Sequence, residues 1–428
     1  MTSAPTLLAL AISLAAFATL TGCGGGGGSS GDTPATGSQT STMPPPSTST
    51  SPSTPGTGST TPIPQSTTPN VQPVMVTTAP GLTRNMLTTS VTVCQPGTSN
   101  CATIDNVQVD TGSNGLRILA SALPPNVSLA AVPSGGGAGS ITGECAIFGS
   151  GYTWGAVRSA DVRMAGQLAA AIPVHVIADA ALPNVPADCA GSGLAMQTVS
   201  SLRANGILGI GLFANDCGAG CVTAALPRWY YNCGASGSAC VATAQALAQQ
   251  VTNPVSRFAL DNNGVVIDLP AIPDTGAVSV SGSLIFGIDT QTNNTLSGAE
   301  VIKVNAQTGY VVTTSAGRTY TQSYIDSGSN GLFFSNALLT QCGLWYCPST
   351  TQSANAAITG TDGATNTVSF EIGNSSTLFA SANNAFDNLA GVASNAFGWG
   401  LPFFFGRRIY TAIDSRVTSV GAGPYYAF

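Results

Sequence analysis

Asp110-Thr-Gly-Ser-Asn-Gly-Leu116 recurs almost letter for letter in this 428-residue chain as Asp326-Ser-Gly-Ser-Asn-Gly-Leu332. Each copy follows residues in which apolar and polar side chains alternate, and each leads into further apolar residues. This pattern predicts a strand, a tight loop and a second strand at both places. A duplicated acid on a duplicated loop indicates two half-molecules that face each other, each bringing one carboxylate to a shared site.

The rest of the chain favours an all-β protein. Short runs rich in Val, Ile, Thr, Tyr and Phe are separated by Gly, Asn and Pro, as is typical of strands joined by turns. The clearest predicted strands are 90–93, 174–177, 264–269, 283–287 and 367–372. Helical patterns are few: we expect one helix near 241–251, between the two repeats, and a short one at 335–341.

Composition excludes several classes of function. Only 7% of the residues are charged, and the few arginines are scattered. Nucleic-acid binding needs clustered Lys and Arg, so we expect no nucleic-acid partner. A Ser-His-Asp or Cys-His site would have to use His175, the one histidine, which lies in a predicted strand. We expect His175 to be a structural histidine with a local hydrogen bond, and we expect no metal site.

The first 22 residues predict a lipoprotein signal peptide. The stretch 7–20 is apolar but short for a membrane span, and it ends in Leu20-Thr-Gly-Cys23, which resembles a bacterial lipobox. Cys23 would then carry the lipid that attaches the protein to a membrane. Gly24 at the next position favours the outer membrane of a Gram-negative bacterium, with the membrane face left open. The segment before residue 7 lacks Lys and Arg, so an ordinary secretory signal with a chance cysteine stays an alternative.

Residues 23–73 predict a disordered tether. They are rich in Gly, Ser, Thr and Pro and contain almost no large apolar side chains. Such a segment cannot bury enough surface to offset its ordering entropy. We expect the globular body to comprise an N-terminal lobe, 74–250, and a C-terminal lobe, 251–428.

Lipidation of Cys23 would leave ten of the 11 cysteines, an even number. An exported protein permits disulfides, and close spacing favours small loops, although spacing does not prove the connectivity. Metal binding by the closely spaced cysteines is the weaker alternative. The candidate disulfide cysteines are the close pairs Cys94 and Cys101, Cys217 and Cys221, Cys233 and Cys240, and Cys342 and Cys347, together with Cys145 and Cys189.

The repeated loop has the residue types that a pair of carboxyl groups needs. Each Asp supplies an acid, the next hydroxyl can brace the partner loop, the Gly allows two backbones to approach, and the following Ser can orient the carboxylate. Two adjacent carboxyls share a proton, which creates an acid and a base in one site. The residues are Asp110, Thr111, Gly112 and Ser113 in the first loop, and Asp326, Ser327, Gly328 and Ser329 in the second.

These two loops resemble the catalytic loops of the pepsin-like aspartic peptidases. Four further segments resemble elements of that family in the same order: 148–155, 205–212, 281–289 and 401–414. Within the superfamily the chain looks like an uncharacterised bacterial lipoprotein branch. The resemblance implies a bilobal fold of two pseudo-symmetric β-barrel-like lobes with a few short helices. It also implies Asp110 and Asp326 as the catalytic pair, a peptide or protein substrate, no cofactor and a monomer.

The predicted flap departs from the family pattern. It comprises Phe148, Gly149, Gly151 and Tyr152, and Phe148 stands where the family usually has a hydroxyl-donating tyrosine. Tyr152 is a possible substitute at the tip of the hairpin. Two functions therefore stay open: a membrane-tethered aspartic endopeptidase, and a catalytically inactive protein of the same fold that binds peptides or has a cell-surface structural role.

Overall fold

The computed structural model describes residues 69–135, 139–296 and 298–428. The predicted signal peptide, Cys23 and nearly all of the predicted tether lie outside these residues. The described chain is built mainly from strands with a few short helices, which confirms the all-β prediction. All five of the clearest predicted strands lie within strands of the structure or overlap them.

The strands are numbered in chain order. They are β1 Val71–Val76, β2 Leu87–Cys94, β3 Cys101–Asp110, β4 Asn114–Leu119, β5 Ala130–Ala131, β6 Ile141–Phe148, β7 Gly151–Met164, β8 Gln167–Ile177, β9 Gly206–Ile210, β10 Tyr230–Cys233, β11 Cys240–Ala242, β12 Gly264–Leu269, β13 Val280–Phe286, β14 Val301–Lys303, β15 Val311–Ser315, β16 Arg318–Ile325, β17 Leu332–Phe334, β18 Gln341–Cys342, β19 Trp345–Tyr346, β20 Gln352–Thr359, β21 Thr365–Ile372, β22 Ala390–Val392, β23 Ala396–Trp399, β24 Arg407–Ala412, β25 Val417–Thr418, β26 Gly421–Ala422 and β27 Tyr425–Ala427.

Helical elements are short. The α-helices are α1 Ala187–Ala190, α2 Val199–Leu202, α3 Ala219–Thr223 and α4 Ser375–Ala380. The 3-10 helices are Pro80–Leu82, Ala120–Ala122, Leu247–Gln249, Pro254–Arg257, Thr292–Asn294 and Leu401–Phe404. In the described part of the chain, no helix is both long and apolar enough to cross a membrane.

Six strands of the first sheet form a closed circuit around the first repeat. Going around it, β2 pairs with β3, β3 with β9, β9 with β4, β4 with β8, β8 with β7, and β7 again with β2. Closure leaves none of these six strands as a free edge within the circuit. The first repeat connects β3 to β4, so the loop that begins at Asp110 rises from the wall of this barrel.

The same sheet continues beyond the barrel through six strands in the order β1, β13, β12, β24, β27 and β14. Neighbours in this series are antiparallel, and five of the six strands come from beyond residue 250. The first strand begins at Val71, close to the boundary expected near residue 74. The start of this strand pairs with β13: Val71 with Ile285, Gln72 with Leu284 and Pro73 with Ser283. These partners are far away in the sequence, so the local composition does not predict the pairing.

The second repeat belongs to a separate nine-stranded sheet. Its order is β18, β19, β22, β17, β23, β16, β15, β20 and β21. The repeat connects β16 to β17, and β23 lies between these two strands, parallel to β16 and antiparallel to β17. In the first sheet β9 lies between β3 and β4 in the same way. We call β9 and β23 the threaded strands, because each lies between the two strands that an acid loop connects. Each acid loop is thus supported by one threaded strand.

Most of the buried apolar side chains form one cluster that draws on both sheets. Its densest part is aromatic: Phe397 stacks on Phe334 at 5.0 Å and on Trp399 at 4.5 Å between ring centroids. Stacked and edge-on rings at such distances add to the stability that burial of their area provides. Phe397 and Trp399 lie on β23, so this packing fixes the strand that supports the second loop.

All ten candidate cysteines form disulfides, as predicted. The bonds are Cys94–Cys101, Cys145–Cys189, Cys217–Cys221, Cys233–Cys240 and Cys342–Cys347. Only Cys145–Cys189 among them joins residues far apart in the sequence, since it closes a separation of 44 residues between β6 and α1. It anchors the first strand of the β6–β7 hairpin to α1.

Both predicted helices are wrong. Within 241–251 the chain forms the end of β11 and the 3-10 helix Leu247–Gln249. There the Gln250 side-chain amide donates to the carbonyl oxygens of Gly218 and Gln245, and the Cys233–Cys240 disulfide holds β11 against β10. Segment 335–341 contains turns and the start of β18 instead of a helix. In both places tertiary contacts override a weak helical propensity.

Candidate active site

Each acid loop leaves its sheet at the end of a strand and is fastened to the threaded strand. The main-chain amide of Gly211, just after β9, donates to the carbonyl oxygen of Ser113 at 2.9 Å. The amide of Leu401, just after β23, donates in the same way to Ser329 at 2.7 Å. Since both backbone contacts occupy equivalent places in the two repeats, the loops present their acids in equivalent ways.

The two carboxyl groups have matching sets of hydrogen-bond donors. Oδ1 of Asp110 accepts from the Gly112 amide at 2.8 Å, and Oδ2 accepts from Ser113 Oγ at 2.6 Å. Oδ1 of Asp326 accepts from the Gly328 amide at 2.7 Å, and Oδ2 accepts from Ser329 Oγ at 2.6 Å. Each carboxyl is therefore fixed in plane by its own loop.

The loops approach so closely that only glycine fits at two positions. A Cβ atom on Gly112 would lie 2.5 Å from Cγ of Asp326, and a Cβ atom on Gly328 would lie 2.7 Å from Oδ1 of Asp110. Both distances are far below a van der Waals contact. Each glycine thus makes room for the acid of the opposite loop, and the two carboxyl groups meet directly.

Two hydroxyl groups tie the loops together beneath the acids. Thr111 Oγ1 donates to the carbonyl oxygen of Ile325 at 3.2 Å, and Ser327 Oγ donates to that of Val109 at 2.8 Å. Both bonds run from one sheet to the other. The six predicted orienting residues, Thr111, Gly112, Ser113, Ser327, Gly328 and Ser329, are therefore all in contact with the pair of acids or with the opposite loop.

The electrostatics of the pair favour one retained proton. Burial, the negative charge of Asp326 and a hydrogen bond with Asp326 raise the pKa of Asp110 to about 8. The donors Ser113 and Gly112 act in the opposite direction but are outweighed. Two carboxyls this close cannot both ionise at neutral pH, so Asp110 keeps a proton that it can share with Asp326.

The residues expected to form a flap lie at the turn between β6 and β7, which we name the flap hairpin (141–164). Phe148 and Gly151 face each other at the end of this hairpin, and Gly149 between them is exposed. Phe148 is half-buried and packs beside a cluster that includes Met196 and Ile207. The hairpin therefore presents an apolar side chain, not a hydroxyl donor, at this position.

Tyr152 lies within the fold and not at the free tip of the hairpin. Its side chain is buried in a cluster with Trp154 and Cys189. Its main chain is also held, because its amide donates to Leu194 at 2.9 Å and its carbonyl oxygen accepts from Met196 at 2.8 Å. Tyr152 therefore helps to fasten the second strand of the flap hairpin to the segment that follows α1.

Three residues near the acids escaped sequence analysis. Gln108 donates to the carbonyl oxygen of Gly328 at 2.9 Å and so adds a further link between the loops. Burial and the charge of Asp326 raise the pKa of Tyr324 above its ordinary value, and burial together with both acids does the same for Tyr426. Gln108 and Tyr324 each stand two residues before an acid, on the same strand face, which was the available signal. Tyr426 has no such local signal.

Within residues 69–135, 139–296 and 298–428, no group of three or more His, Cys, Asp or Glu side chains is arranged to hold a metal ion. The side chains at the site supply two adjacent carboxyl groups and their donors, which can act as one acid and one base.

Comparison with known proteins places the chain in a family but gives no activity. Residues 66–428 match the sequence profile of DUF3443, described as a protein of unknown function. No curated protein matches the chain. The match covers the whole described region, including both acid loops.

Proposed function

We propose that this chain, which belongs to the DUF3443 family of proteins of unknown function, is an aspartic-type endopeptidase that hydrolyses peptide bonds with Asp110 and Asp326. The observation that carries the proposal is the symmetric pair of acids: each carboxyl is fixed by the amide and the hydroxyl of its own loop, and each lies against the glycine of the other. A pair of ordinary surface turns does not need this cross-loop contact.

The geometry supports a mechanism without a covalent intermediate. Asp110, which holds the proton, donates a hydrogen bond to the carbonyl oxygen of the substrate, while ionised Asp326 accepts a proton from a bound water. The hydroxide so formed adds to the carbonyl carbon, and the oxygen of the carbonyl takes the Asp110 proton. Transfer of the proton from Asp326 to the amide nitrogen then lets the C–N bond break, and return of a hydroxyl proton to Asp110 restores the pair.

The proposal includes a pepsin-like architecture with two lobes and a cleft between them. It is supported by the repeated arrangement in which β9 lies between β3 and β4, and β23 between β16 and β17. It is also supported by the flap hairpin, which stands in the sequence between the first acid loop and β9 as the family resemblance requires. Residues 71–250 would form the first lobe and 251–428 the second.

We further propose that the protein is an exported lipoprotein, anchored through Cys23 to the outer membrane of a Gram-negative bacterium, and that it acts there as a monomer on exported peptides or proteins. Five disulfides in the described chain support an oxidising compartment, where such bonds persist. Labelling of the cells with a radioactive fatty acid, in wild type and Cys23→Ala, tests the anchor.

Cleavage of an unfolded peptide mixture tests the activity. The full chain is incubated from acid to mildly alkaline pH, with and without a statine-type transition-state analogue, beside Asp110→Asn and Asp326→Asn. We expect cuts that disappear with the analogue and in both variants, although each variant stays folded. Full cleavage by either variant would exclude the two-acid mechanism.

A second candidate is a protein that binds extended peptides without cleaving them. Phe148 favours it, because phenylalanine keeps an apolar cover over the site but cannot donate the hydrogen bond of a tyrosine hydroxyl. Peptide binding by strand addition needs only the framework and the cover. Saturable peptide binding without turnover, at every pH tested, would support this candidate over the endopeptidase.

A further inference from the structure

Four ionisable side chains are buried together beside the first acid loop. Arg117 and Asp216 have 3% of their side chains exposed, and Glu144 and His175 have 0%. The whole chain has only 12 Lys and Arg and 18 Asp and Glu. Burial of charges is costly even when they are paired, so four in one cluster are unusual in a chain with so few.

Arg117 is the centre of this charge cluster. Its Nη2 atom donates to Oε1 of Glu144 at 2.6 Å and to Oδ2 of Asp216 at 3.2 Å. His175 Nδ1 lies 2.7 Å from Oε2 of Glu144. As predicted, His175 lies on a strand, β8. Its partner Glu144 is not local but lies on β6. The Tyr230 hydroxyl donates to Oδ1 of Asp216 at 2.5 Å. Arg117 is thus paired with both carboxyl groups, and Glu144 lies against both Arg117 and His175.

The charges within the cluster depend on one another. Burial alone would raise the pKa of Glu144, but Arg117 and His175 outweigh it and hold that pKa well below its usual range. Burial and the neighbouring Glu144 raise the pKa of Asp216 well above its usual range, although Arg117 acts against them. Glu144 is therefore the ionised partner of Arg117, and loss of the guanidinium would leave a buried carboxylate without its main counter-charge.

Arg117 also contacts both the end of the first acid loop and the flap hairpin. It lies on β4, directly after the first acid loop, and its Nη1 atom donates to the carbonyl oxygen of Asn114 at 2.9 Å. Glu144, its strongest partner, lies on the first strand of the flap hairpin, four residues before Phe148. The Cζ atom of Arg117 lies 5.7 Å from the centre of the Phe148 ring, within the range of a cation–π contact.

We propose that Arg117 is a positioning residue that fixes the flap hairpin relative to the Asp110 loop, through Glu144 and the Phe148 ring on one side and Asn114 on the other. This inference rests on the proposed endopeptidase function. The planar guanidinium suits the role, because it can reach the loop carbonyl and two carboxyl groups at once. Arg117 acts through the hairpin and does not itself take part in the proton transfers.

Two variants and a matched control test the role. Arg117→Lys keeps the positive charge beside Glu144 and Asp216 but loses the fork of donors. The double variant Arg117→Gln with Glu144→Gln removes one charge of each sign and leaves neither unpaired. It therefore tests the role of Arg117 if the lysine variant is unstable. The control is Arg158→Gln with Asp179→Asn, which removes another arginine–carboxylate pair anchored on the same hairpin, with contacts at 2.7 and 3.0 Å. Thermal unfolding establishes that each protein is folded.

Amide hydrogen exchange of residues 141–156 is measured without substrate, and kcat and KM are measured with a cleaved peptide. We expect the Arg117 variants to exchange about tenfold faster in the flap hairpin and to lose about tenfold to a hundredfold in kcat/KM, while the control stays within about twofold of wild type. Unchanged exchange in the hairpin would overturn the inference. So would faster exchange combined with unchanged kcat/KM, because Arg117 would then be structural only.

The exchange measurement separates this inference from the proposed function. If wild type cleaves no peptide and the Arg117 variants still exchange faster in the flap hairpin than the control does, the endopeptidase proposal fails but the positioning role of Arg117 stands. If wild type cleaves peptides and hairpin exchange is the same in all variants, the endopeptidase stands and the positioning role fails.

Discussion

Thr111 and Ser327 exchange a reciprocal pair of hydrogen bonds between the two acid loops. The amide of Thr111 donates to Ser327 Oγ at 3.2 Å, and the amide of Ser327 donates to Thr111 Oγ1 at 3.0 Å. Each hydroxyl therefore accepts from the opposite loop while it donates to a carbonyl oxygen of the opposite strand. Both residues are buried, so these bonds are shielded from solvent and hold the two acid loops at a fixed spacing.

Thr111→Val should destabilise the protein because it leaves the buried amide of Ser327 and the carbonyl oxygen of Ile325 without their partner. We expect a loss of roughly 1–3 kcal/mol in the free energy of unfolding, the cost of an unsatisfied buried polar group. Urea denaturation measures it, with Thr111→Ser, which keeps the hydroxyl, as the control. Equal stability of the valine and serine variants would contradict a structural role for these bonds.

The raised pKa of Asp110 predicts how stability depends on pH. Its pKa is about 8 in the folded chain against 3.8 ordinarily, so the folded state holds the proton more tightly. This contribution is complete below pH of about 3.8 and is lost as the pH rises through about 8. Asp110→Asn, which cannot ionise, should remove this dependence.

Denaturant unfolding at acidic pH and at mildly alkaline pH measures this difference. The fall in stability of wild type across the range should exceed that of Asp110→Asn by at least about 1 kcal/mol. If both proteins lose the same amount of stability, Asp110 is not the group that retains the proton.

Ser113→Ala should change the pH dependence of cleavage. The Ser113 hydroxyl favours the ionised form of Asp110, so its removal should raise the pKa of Asp110 further. The alkaline limb of the kcat/KM profile should then move to higher pH, and the rate should fall about tenfold because the acid is less well oriented. Ser113→Thr keeps the hydroxyl and should leave the limb in place. A limb that does not move in the alanine variant would show that Asp110 does not control it.

Phe148 should contribute to ligand binding through its ring and not through a hydrogen bond. Phe148→Ala should weaken binding of a statine-type analogue about tenfold, because it removes an apolar side chain from the end of the flap hairpin. Isothermal titration calorimetry measures the affinity, and Phe148→Tyr, which keeps the ring, should bind at least as tightly as wild type. Equal affinity of the alanine variant and wild type would indicate that the hairpin does not contact the ligand.

The Cys145–Cys189 disulfide should stabilise the protein more than a short-range disulfide. It closes 44 residues, whereas Cys217–Cys221 closes 4, so its removal frees a larger loop in the unfolded chain. The loop-entropy estimates are roughly 4 kcal/mol and roughly 2 kcal/mol. Urea denaturation of the two serine double variants compares them. A smaller loss for the long-range pair would show that strain or residual structure dominates.

The strands could be predicted from local patterns. Val368, Phe370 and Ile372 alternate with polar residues in 367–372, which form the last six residues of β21, and the two acid loops stand out because they repeat. Neighbouring cysteines likewise predicted four of the five disulfides. Each of these features is encoded within a few residues, so a reading of the sequence can find it.

What could not be predicted depends on residues that are far apart in the sequence. Arg117, Glu144, His175 and Asp216 follow no common spacing. The sheet order β6, β7, β8, β4, β9 brings the first three close to one another, and Asp216 joins them from the segment that follows β9. The helix expected near 241–251 failed for the same reason: side-chain amides and a disulfide hold that segment in another shape. Tyr426, near the two acids, comes from a strand 100 residues beyond the second of them.

The glycine contacts between the loops make each half of the chain constrain the sequence of the other. A Cβ atom on Gly112 would displace Asp326, and a Cβ atom on Gly328 would displace Asp110. After a duplication, neither half could therefore replace its own glycine without loss of the other half's acid. The surrounding strands differ between the halves: they form a closed barrel around the first loop and a separate nine-stranded sheet around the second. The contacts thus account for a glycine at the same place in both loops.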